Sequence, residues 1–252
     1  DGCMIVTASA DGSAKLWWVE TGECLQTLVS HRAPVRSAAF GLNNRAVVTV
    51  SDDRTAKLWS AVGWECVQVI DGHMAAVRCG GFSPDGQMVI TASDDGSARV
   101  WSAESGVCIR AFATDAGKVR SALFSPEGKL VVTTPGDRTA RVWSTESGKC
   151  LQALAGHLGE VLHAAFSPDG KVVVTASTDG TARLWSAECG SCIQSLRGHD
   201  GRVLCAAFSH KGSEVATASS VGAVRIWSIG GECLHAILGH REAVCSVAFG
   251  PD

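Results

Sequence analysis

The chain has no long hydrophobic run and no strong excess of charge of either sign. Its 252 residues include 22 basic and 25 acidic side chains, giving a net charge of −3 without a basic stripe, so nucleic acid is not an expected partner. Apolar residues make up 46% of the chain but are spread over short segments, none approaching the length of a membrane span. A sustained apolar pattern at helical spacing is also missing, which argues against helices.

Tryptophan, by contrast, recurs at one fixed interval. Six tryptophans lie 42 residues apart and divide the chain into six repeats. A strict period of this length indicates a repeat architecture, in which each unit buries its apolar faces against its neighbours. The six are Trp17, Trp59, Trp101, Trp143, Trp185 and Trp227.

Each repeat has the pattern of four short strands separated by turns. Turns containing Gly, Pro or Asp fall about every 8–12 residues, which is typical of an all-β fold. In the fifth repeat the predicted strands are Val161–Phe166, Lys171–Ser177, Thr181–Trp185 and Cys192–Leu196.

The repeats resemble those of the WD40 family over the whole chain. The resemblance rests on Gly-His pairs such as Gly156–His157, on the FSPDG turns at Phe82–Gly86 and Phe166–Gly170, and on Asp-Gly turns before the tryptophans. One departure is the residue after tryptophan, where the family has Asp; this chain has Ser in five repeats, as at Ser60, and Trp18 in the first. The resemblance implies a six-bladed β-propeller with four antiparallel strands per blade.

We expect one propeller domain over residues 1–252, closed by its two ends. The chain begins at the second strand of a repeat, Cys3–Ser9, and ends after a first strand, Val244–Phe249. Pairing of these two strands would complete one blade and remove the free sheet edges. A first residue Asp1 rather than Met suggests a processed or engineered boundary, or a piece of a longer chain.

Cysteine is frequent but does not indicate disulfides or metal. Equivalent positions on neighbouring blades are too far apart for a bond, so we expect free thiols that pack as small apolar residues. Cys189 and Cys192 form a lone C-x-x-C without the second pair that zinc needs, so we predict no metal and no cofactor. Six of the 11 cysteines share one repeat position: Cys24, Cys66, Cys108, Cys150, Cys192 and Cys233.

The resemblance also implies a structural role for the recurring His, Ser, Asp and Trp residues. In WD40 blades they form a hydrogen-bonded tetrad, and recurrence in most repeats favours scaffolding over a Ser-His-Asp catalytic site, which would occur once. We therefore predict no enzymatic activity. The implied tetrads are His31, Ser51, Asp53 and Trp59; His73, Ser93, Asp95 and Trp101; His157, Ser177, Asp179 and Trp185; and His240 with Ser9, Asp11 and Trp17.

Two repeats depart from this pattern. In the fourth, Asp115 and Pro135 replace the His and the Ser, and in the sixth, Val221 replaces the Asp. The replacements fit either drift, which repeat arrays tolerate, or a surface altered for binding.

Arginines supply the first candidate binding surface. Arg36, Arg78 and Arg120 occupy one position in successive repeats, near the predicted channel mouth, and Arg54 and Arg138 replace a turn glycine on the same top face. Arginine is suited to binding carboxylate or phosphate, so an acidic or phosphorylated peptide is one interpretation. Pairing with nearby Asp52, Asp94 and Asp115 is the other.

Two tryptophans outside the 42-residue series supply a second candidate surface. Trp18 and Trp64 fall on the opposite, bottom face. Exposed tryptophan is enriched in interaction hot spots, but local packing over an adjacent loop explains both residues equally simply.

Together these patterns favour a non-enzymatic scaffold that presents a rigid surface to peptide or protein partners. We expect an intracellular monomer, in the cytoplasm or nucleus, that does not bind membranes. One alternative is a sensor or regulatory domain of a longer signalling or NTPase-containing protein. Another is a small-molecule or catalytic site in the channel, for which His163 is the one candidate residue.

Overall fold

The computed structural model describes residues 2–41 and 45–250, and β-strands are the regular elements of this part of the chain. The described residues contain 23 strands in six antiparallel sheets, with the strands of each sheet in chain order. The all-β prediction is confirmed. Within the described ranges, no helix has the length and apolar character that crossing a membrane requires.

The sheets follow the 42-residue period. Sheet 1 contains β1 (Met4–Ala8), β2 (Ser13–Trp18) and β3 (Cys24–Val29). Sheet 2 contains β4 (Val35–Phe40), β5 (Ala46–Ser51), β6 (Ala56–Ser60) and β7 (Cys66–Ile70). Sheet 3 contains β8 (Val77–Phe82), β9 (Met88–Ser93), β10 (Ser97–Ser102) and β11 (Cys108–Ala113). Sheet 4 contains β12 (Ser121–Phe124), β13 (Leu130–Thr134), β14 (Thr139–Ser144) and β15 (Cys150–Ala155). Sheet 5 contains β16 (Val161–Phe166), β17 (Val172–Ser177), β18 (Thr181–Ser186) and β19 (Cys192–Arg197). Sheet 6 contains β20 (Val203–Phe208), β21 (Glu214–Ser219), β22 (Ala223–Ser228) and β23 (Cys233–Leu238).

The chain divides into two compact units, Asp1–Phe124 and Ser125–Asp252. The first unit carries β1 to β12 and the second β13 to β23. In the second unit, the four strands predicted for the fifth repeat are confirmed as β16 to β19, with ends that move by at most one residue.

The strand predicted at Val244–Phe249 is not formed. Residues 243–250 have no strand, and sheet 1 consists of β1 to β3 alone, so its predicted fourth strand is wrong. The segment instead contacts sheet 6, where the Val244 amide donates to the Ser219 carbonyl at 3.0 Å. The same contact, from Val35 to Ser9, ties β4 to sheet 1. One such bond positions a segment, but a strand needs a ladder of them.

Apolar side chains of consecutive sheets pack together, and the repeated tryptophans lie in these layers. In the second unit, Trp227 of sheet 6 is 2% exposed and belongs to one cluster with Leu184 and Leu196 of sheet 5. In the first unit, Trp59 of sheet 2 packs in the same way with Leu16 and Leu28 of sheet 1. Within each unit these repeats bury a core face against the preceding repeat, which explains why one repeat alone lacks a core.

The repeated cysteines lie opposite these tryptophans. Trp185 pairs with Cys192 across a register shift, and the equivalent shift occurs in all six sheets. The expectation that these cysteines pack as small apolar residues is wrong, because five of the six are exposed and Cys66 is half-buried. They lie on the outer strand, where no further strand covers them. All eleven cysteines are free thiols.

Candidate functional site

A chain of hydrogen bonds joins four side chains of the fifth sheet. His157, before β16, donates from Nδ1 to Asp179 in the β17–β18 turn at 2.8 Å. Its Nε2 lies 2.7 Å from Thr175 Oγ1, and the Trp185 indole N–H donates to the same oxygen at 2.8 Å. Because a carboxylate only accepts, Nδ1 carries the imidazole proton, and Nε2 accepts from the threonine hydroxyl. The same arrangement, with distances of 2.7 to 2.9 Å, joins His31, Thr49, Asp53 and Trp59 in sheet 2 and His73, Thr91, Asp95 and Trp101 in sheet 3.

The hydroxyl of each set is a threonine, and the predicted serines Ser51, Ser93 and Ser177 do not touch the imidazole. Ser177 Oγ instead accepts from the Asp179 amide at 3.1 Å, and Ser51 and Ser93 make the equivalent bond. Thr175 and Ser177 point to the same side of β17, because side chains alternate along a strand. The sequence held a usable signal, since the threonine recurs in all six repeats and the serine in five. The threonines are Thr7, Thr49, Thr91, Thr133, Thr175 and Thr217.

Burial and hydrogen bonding fix the charges of these sets. Burial lowers the pKa of His157, and the bond to Asp179 only partly offsets this, so the imidazole is neutral near pH 7. Burial alone would raise the pKa of Asp53. Hydrogen bonds from Thr55, the Arg32 amide and His31 together outweigh it and lower that pKa to about 2. The same balance lowers the pKa of Asp95 to about 2.

The remaining sheets contain partial sets. In sheet 1 the Trp17 indole donates to Thr7, and the predicted link to His240 stays a prediction. In sheet 4, Trp143 donates to Thr133 at 2.9 Å. Asp137 there holds the amide and hydroxyl of Thr139, each at 2.7 Å.

Sheet 6 lacks the carboxylate of the complete sets. His199 Nε2 lies 2.7 Å from Thr217 Oγ1, but His199 Nδ1 is buried without a hydrogen-bond partner. Burial and, to a lesser extent, the nearby charge of Arg225 together lower the pKa of His199 to about 4. Val221, at the position of the missing Asp, is half exposed.

Restoring this carboxylate is expected to stabilise the protein. Val221→Asp should raise the free energy of unfolding by about 1 kcal/mol at pH 7, because the new side chain accepts the orphaned Nδ1 proton. The gain should widen as the pH falls to 5. In the natural chain, protonation of His199 in the unfolded state removes stability below its ordinary pKa of 6.5, down to a folded pKa of about 4. The new carboxylate raises the folded pKa and reduces this loss.

Urea denaturation of the variant at pH 7 and at pH 5 measures both effects. The matched control is Ser220→Asp, which adds the same charge one residue earlier. A gain that stays constant between the two pH values, or an equal gain in the control, would contradict the proposed contact with His199.

Two of the candidate arginines are engaged in a continuous strip of ion pairs. Arg36 donates two hydrogen bonds to Asp52, one from Nε to Oδ1 at 2.9 Å and one from Nη2 to Oδ2. Arg78 reaches Asp52 at 3.1 Å and Asp94 at 3.0 Å, and Lys118 reaches Asp94 at 3.1 Å. We call these five residues the ion-pair strip. The pairing interpretation therefore describes Arg36 and Arg78, and the strip contains three cations and two carboxylates.

The other candidate arginines have different surroundings. Arg120 and Arg138 are exposed, and Arg120 has an interaction of its own. Arg54 occupies a turn position with φ of 73°, where glycines such as Gly96, with φ of 86°, stand in other repeats. A left-handed conformation is unfavourable for a residue with a Cβ atom, by roughly 1–2 kcal/mol. Arg138 does not adopt the left-handed conformation, because Gly136 is the residue of its turn that has a positive φ, of 64°.

Neither candidate tryptophan of the bottom face is fully exposed. Trp64 is half-buried and packs against the core cluster that contains Leu16 and Trp59. Trp18 is also half-buried, at the end of β2, where it pairs with Met4. Local packing therefore accounts for Trp64.

The candidate residue of the predicted channel, His163, lies in β16 without a titratable partner. It is half-buried, it bonds to the backbone of Ala206, and burial lowers its pKa to about 4. Its Nδ1 is buried and makes no hydrogen bond. In the part of the chain that the structure describes, no group of three or more His, Cys, Asp or Glu side chains could hold a metal ion.

The comparison with protein families accounts for the repeating sets. The family model of the WD domain, G-beta repeat, matches five consecutive segments: residues 22–60, 64–102, 106–144, 148–186 and 190–228. The chain belongs to the WD40 family. No curated protein matches the sequence.

Proposed function

We propose that this chain is a non-catalytic platform that binds segments of other proteins. WD40 repeats generally act as protein-interaction scaffolds, which supports the assignment. In this proposal the six sheets are the blades of one propeller over residues 1–252, and the protein is an intracellular monomer. The loop end that carries the His–Asp contacts forms the binding surface.

The ion-pair strip is the observation that carries the proposal. Asp52 and Asp94 hold the guanidinium groups of Arg36 and Arg78 in fixed positions before any partner arrives, which reduces the ordering cost of binding. The Arg36 side chain remains 42% exposed and the Lys118 side chain 58% exposed, so a partner can reach both. Because the strip has more cations than carboxylates, the preferred partner segment is acidic or phosphorylated.

The histidine sets supply no catalytic machinery in this account. Both ring nitrogens of His157 are already bonded, to Asp179 and to Thr175. Thr175 is completely buried, so its hydroxyl cannot meet a substrate. A Ser-His-Asp hydrolase needs an exposed nucleophile at the imidazole, and Ser177 bonds to a backbone amide instead.

Affinity capture tests the platform and its surface together. Proteins captured by the natural chain are compared by quantitative mass spectrometry with those captured by the double variant Arg36→Gln, Arg78→Gln. We expect capture through the strip to fall about tenfold, because charge-assisted contacts concentrate binding energy in few residues. The captured amount should also fall with added salt.

The control is the double variant Lys129→Gln, Arg141→Gln, which removes two paired cations outside the strip. It should capture the same proteins as the natural chain. Failure to enrich any protein would contradict the platform, and equal losses in the two double variants would contradict the strip as its surface.

A further inference from the structure

A polar pocket lies at the loop end of sheet 2, beside the ion-pair strip. Its volume is about 310 Å³, which is within the range of ligand sites. Three cations and two carboxylates line it, together with one threonine and one half-exposed valine. The lining residues are Arg32, Arg54, Lys57, Asp53, Asp71, Thr55 and Val69.

The two guanidinium groups of the pocket are available for a ligand. The side chains of Arg32 and Arg54 are exposed and make no hydrogen bond or ion pair with any residue that the structure describes. Asp53 does not neutralise them through contact, because its oxygens accept from His31, the Arg32 amide and Thr55. Lys57 Nζ bonds to the carbonyl and the hydroxyl of Ser30, both at 2.6 Å, which leaves one of its three donors.

This combination of cations occurs in one repeat. Arg32 is the residue that follows the repeat histidine His31. The same position is Met74 in the next repeat and Leu158 in the fifth. The corresponding turns have Gly96 and Gly180 instead of Arg54. The position of Lys57 is also a lysine, Lys15, in the first repeat. In the third and fifth repeats it is a longer arginine, Arg99 or Arg183, which lies over the face of Trp101 or Trp185. The pair of arginines, Arg32 and Arg54, together with the shorter lysine, distinguishes this pocket from its equivalents.

The backbone conformation of Arg54 also supports a binding role for this pocket. With φ of 73° it keeps a conformation that four other repeats assign to glycine. Strain of this kind is concentrated at functional sites, where a side chain is needed at a position that the backbone disfavours. Arginine occupies this position although glycine would relieve the strain.

We infer that this pocket binds the phosphoryl group of a phosphoserine or phosphothreonine in a partner segment. Two free guanidinium forks and one ammonium donor exceed what the two oxygens of a carboxylate accept, and they match the three terminal oxygens of a phosphate. Asp71, which makes no hydrogen bond or ion pair in the described structure, is placed to accept a backbone N–H of the bound segment. The inference rests on the proposed function, because the segment belongs to a protein held at the adjacent strip.

Nuclear magnetic resonance of the arginine Nε–H groups of the full chain tests the pocket directly. The probe is N-acetyl-O-phosphoserine amide, compared with the serine and glutamate amides. We expect saturable shifts of the Arg32 and Arg54 signals with the phosphoserine probe, none with the serine amide, and much weaker binding of the glutamate amide. Arg54→Gly should bind the probe about tenfold more weakly. This variant should fold, because glycine adopts a positive φ without strain.

Arg138→Gly is the matched control, since it removes an arginine at the same repeat position, and it should bind like the natural chain. Absence of saturable shifts, equal effects of Arg54→Gly and Arg138→Gly, or equal binding of glutamate and phosphoserine would each overturn the inference. The two proposals fail separately. If partners are captured but phosphoserine does not bind, the platform proposal stands and the pocket proposal fails. If phosphoserine binds but no protein is captured, the pocket proposal stands and the platform proposal fails.

Discussion

Replacing Asp179 with alanine is expected to lower the free energy of unfolding by about 3 kcal/mol, and Asp137→Ala by only about 1 kcal/mol. Asp179 accepts from His157 Nδ1, the Leu158 amide, and the amide and hydroxyl of Thr181, at 2.7 to 2.9 Å. Its loss leaves a buried imidazole N–H without a partner. Asp137 has the corresponding threonine but no histidine, so fewer groups lose their bonds.

Urea unfolding of both variants, followed by tryptophan fluorescence, makes the comparison. Equal losses would contradict the structural role of the His–Asp contact. The pH dependence has a defined sign. The folded pKa of Asp179 lies below its ordinary 3.8, so its contribution is fully present above that pH. The contribution is lost as the pH falls further, and the difference between the natural chain and Asp179→Ala should therefore shrink in acid.

The second large effect is expected at the threonine of the same set. Thr175→Val should cost about 3 kcal/mol, because a valine of similar volume leaves His157 Nε2 and the Trp185 indole N–H unpaired in a buried site. Ser177→Ala should cost about 1 kcal/mol, since Ser177 bonds to one amide of the turn.

The same unfolding measurement decides between the two hydroxyls. A larger loss for Ser177→Ala than for Thr175→Val would favour the serine as the hydroxyl that binds His157, as the family resemblance implied. A similar pair, Thr91→Val and Ser93→Ala, is available in sheet 3 and should show the same order of losses.

Much of the fold follows from local sequence, because short strands and turn residues repeat with one period. The four strands of the fifth repeat could be placed to within one residue, since the turns on either side contain Gly, Pro and Asp. The family resemblance placed Asp179 and Trp185 in the same hydrogen-bonded set as His157. These features depend on contacts within a repeat or between neighbouring repeats.

The features that the sequence did not predict depend on geometry finer than the period. Thr175 and Ser177 lie on the same face of one strand, and side-chain distances separate their roles; in the sequence, only the recurrence of the threonine in all six repeats favours it over the serine. Arg36 and Arg78 fitted both pairing and partner binding until their contacts with Asp52 were known. The segment after Leu238 has the composition of a strand, but composition does not supply the hydrogen-bonding neighbour that a strand needs.

The platform proposal and the structural reading of the histidines are linked. If His31, His73 and His157 are neutral and fully bonded, they hold the loop end rigid and leave binding to the charged residues around them. If one of them titrated freely, it would be available for acid–base chemistry, and the chain would need a different functional assignment.

Long-range ¹H–¹⁵N correlation of the imidazole nitrogens across a pH titration tests this central claim most directly. The account predicts that His31, His73 and His157 are neutral at pH 7 with the proton on Nδ1. It also predicts that they titrate below the ordinary pKa of 6.5, because burial opposes the charged form. Protons on Nε2, or titration at or above pH 6.5 with exchange-averaged signals, would contradict the account.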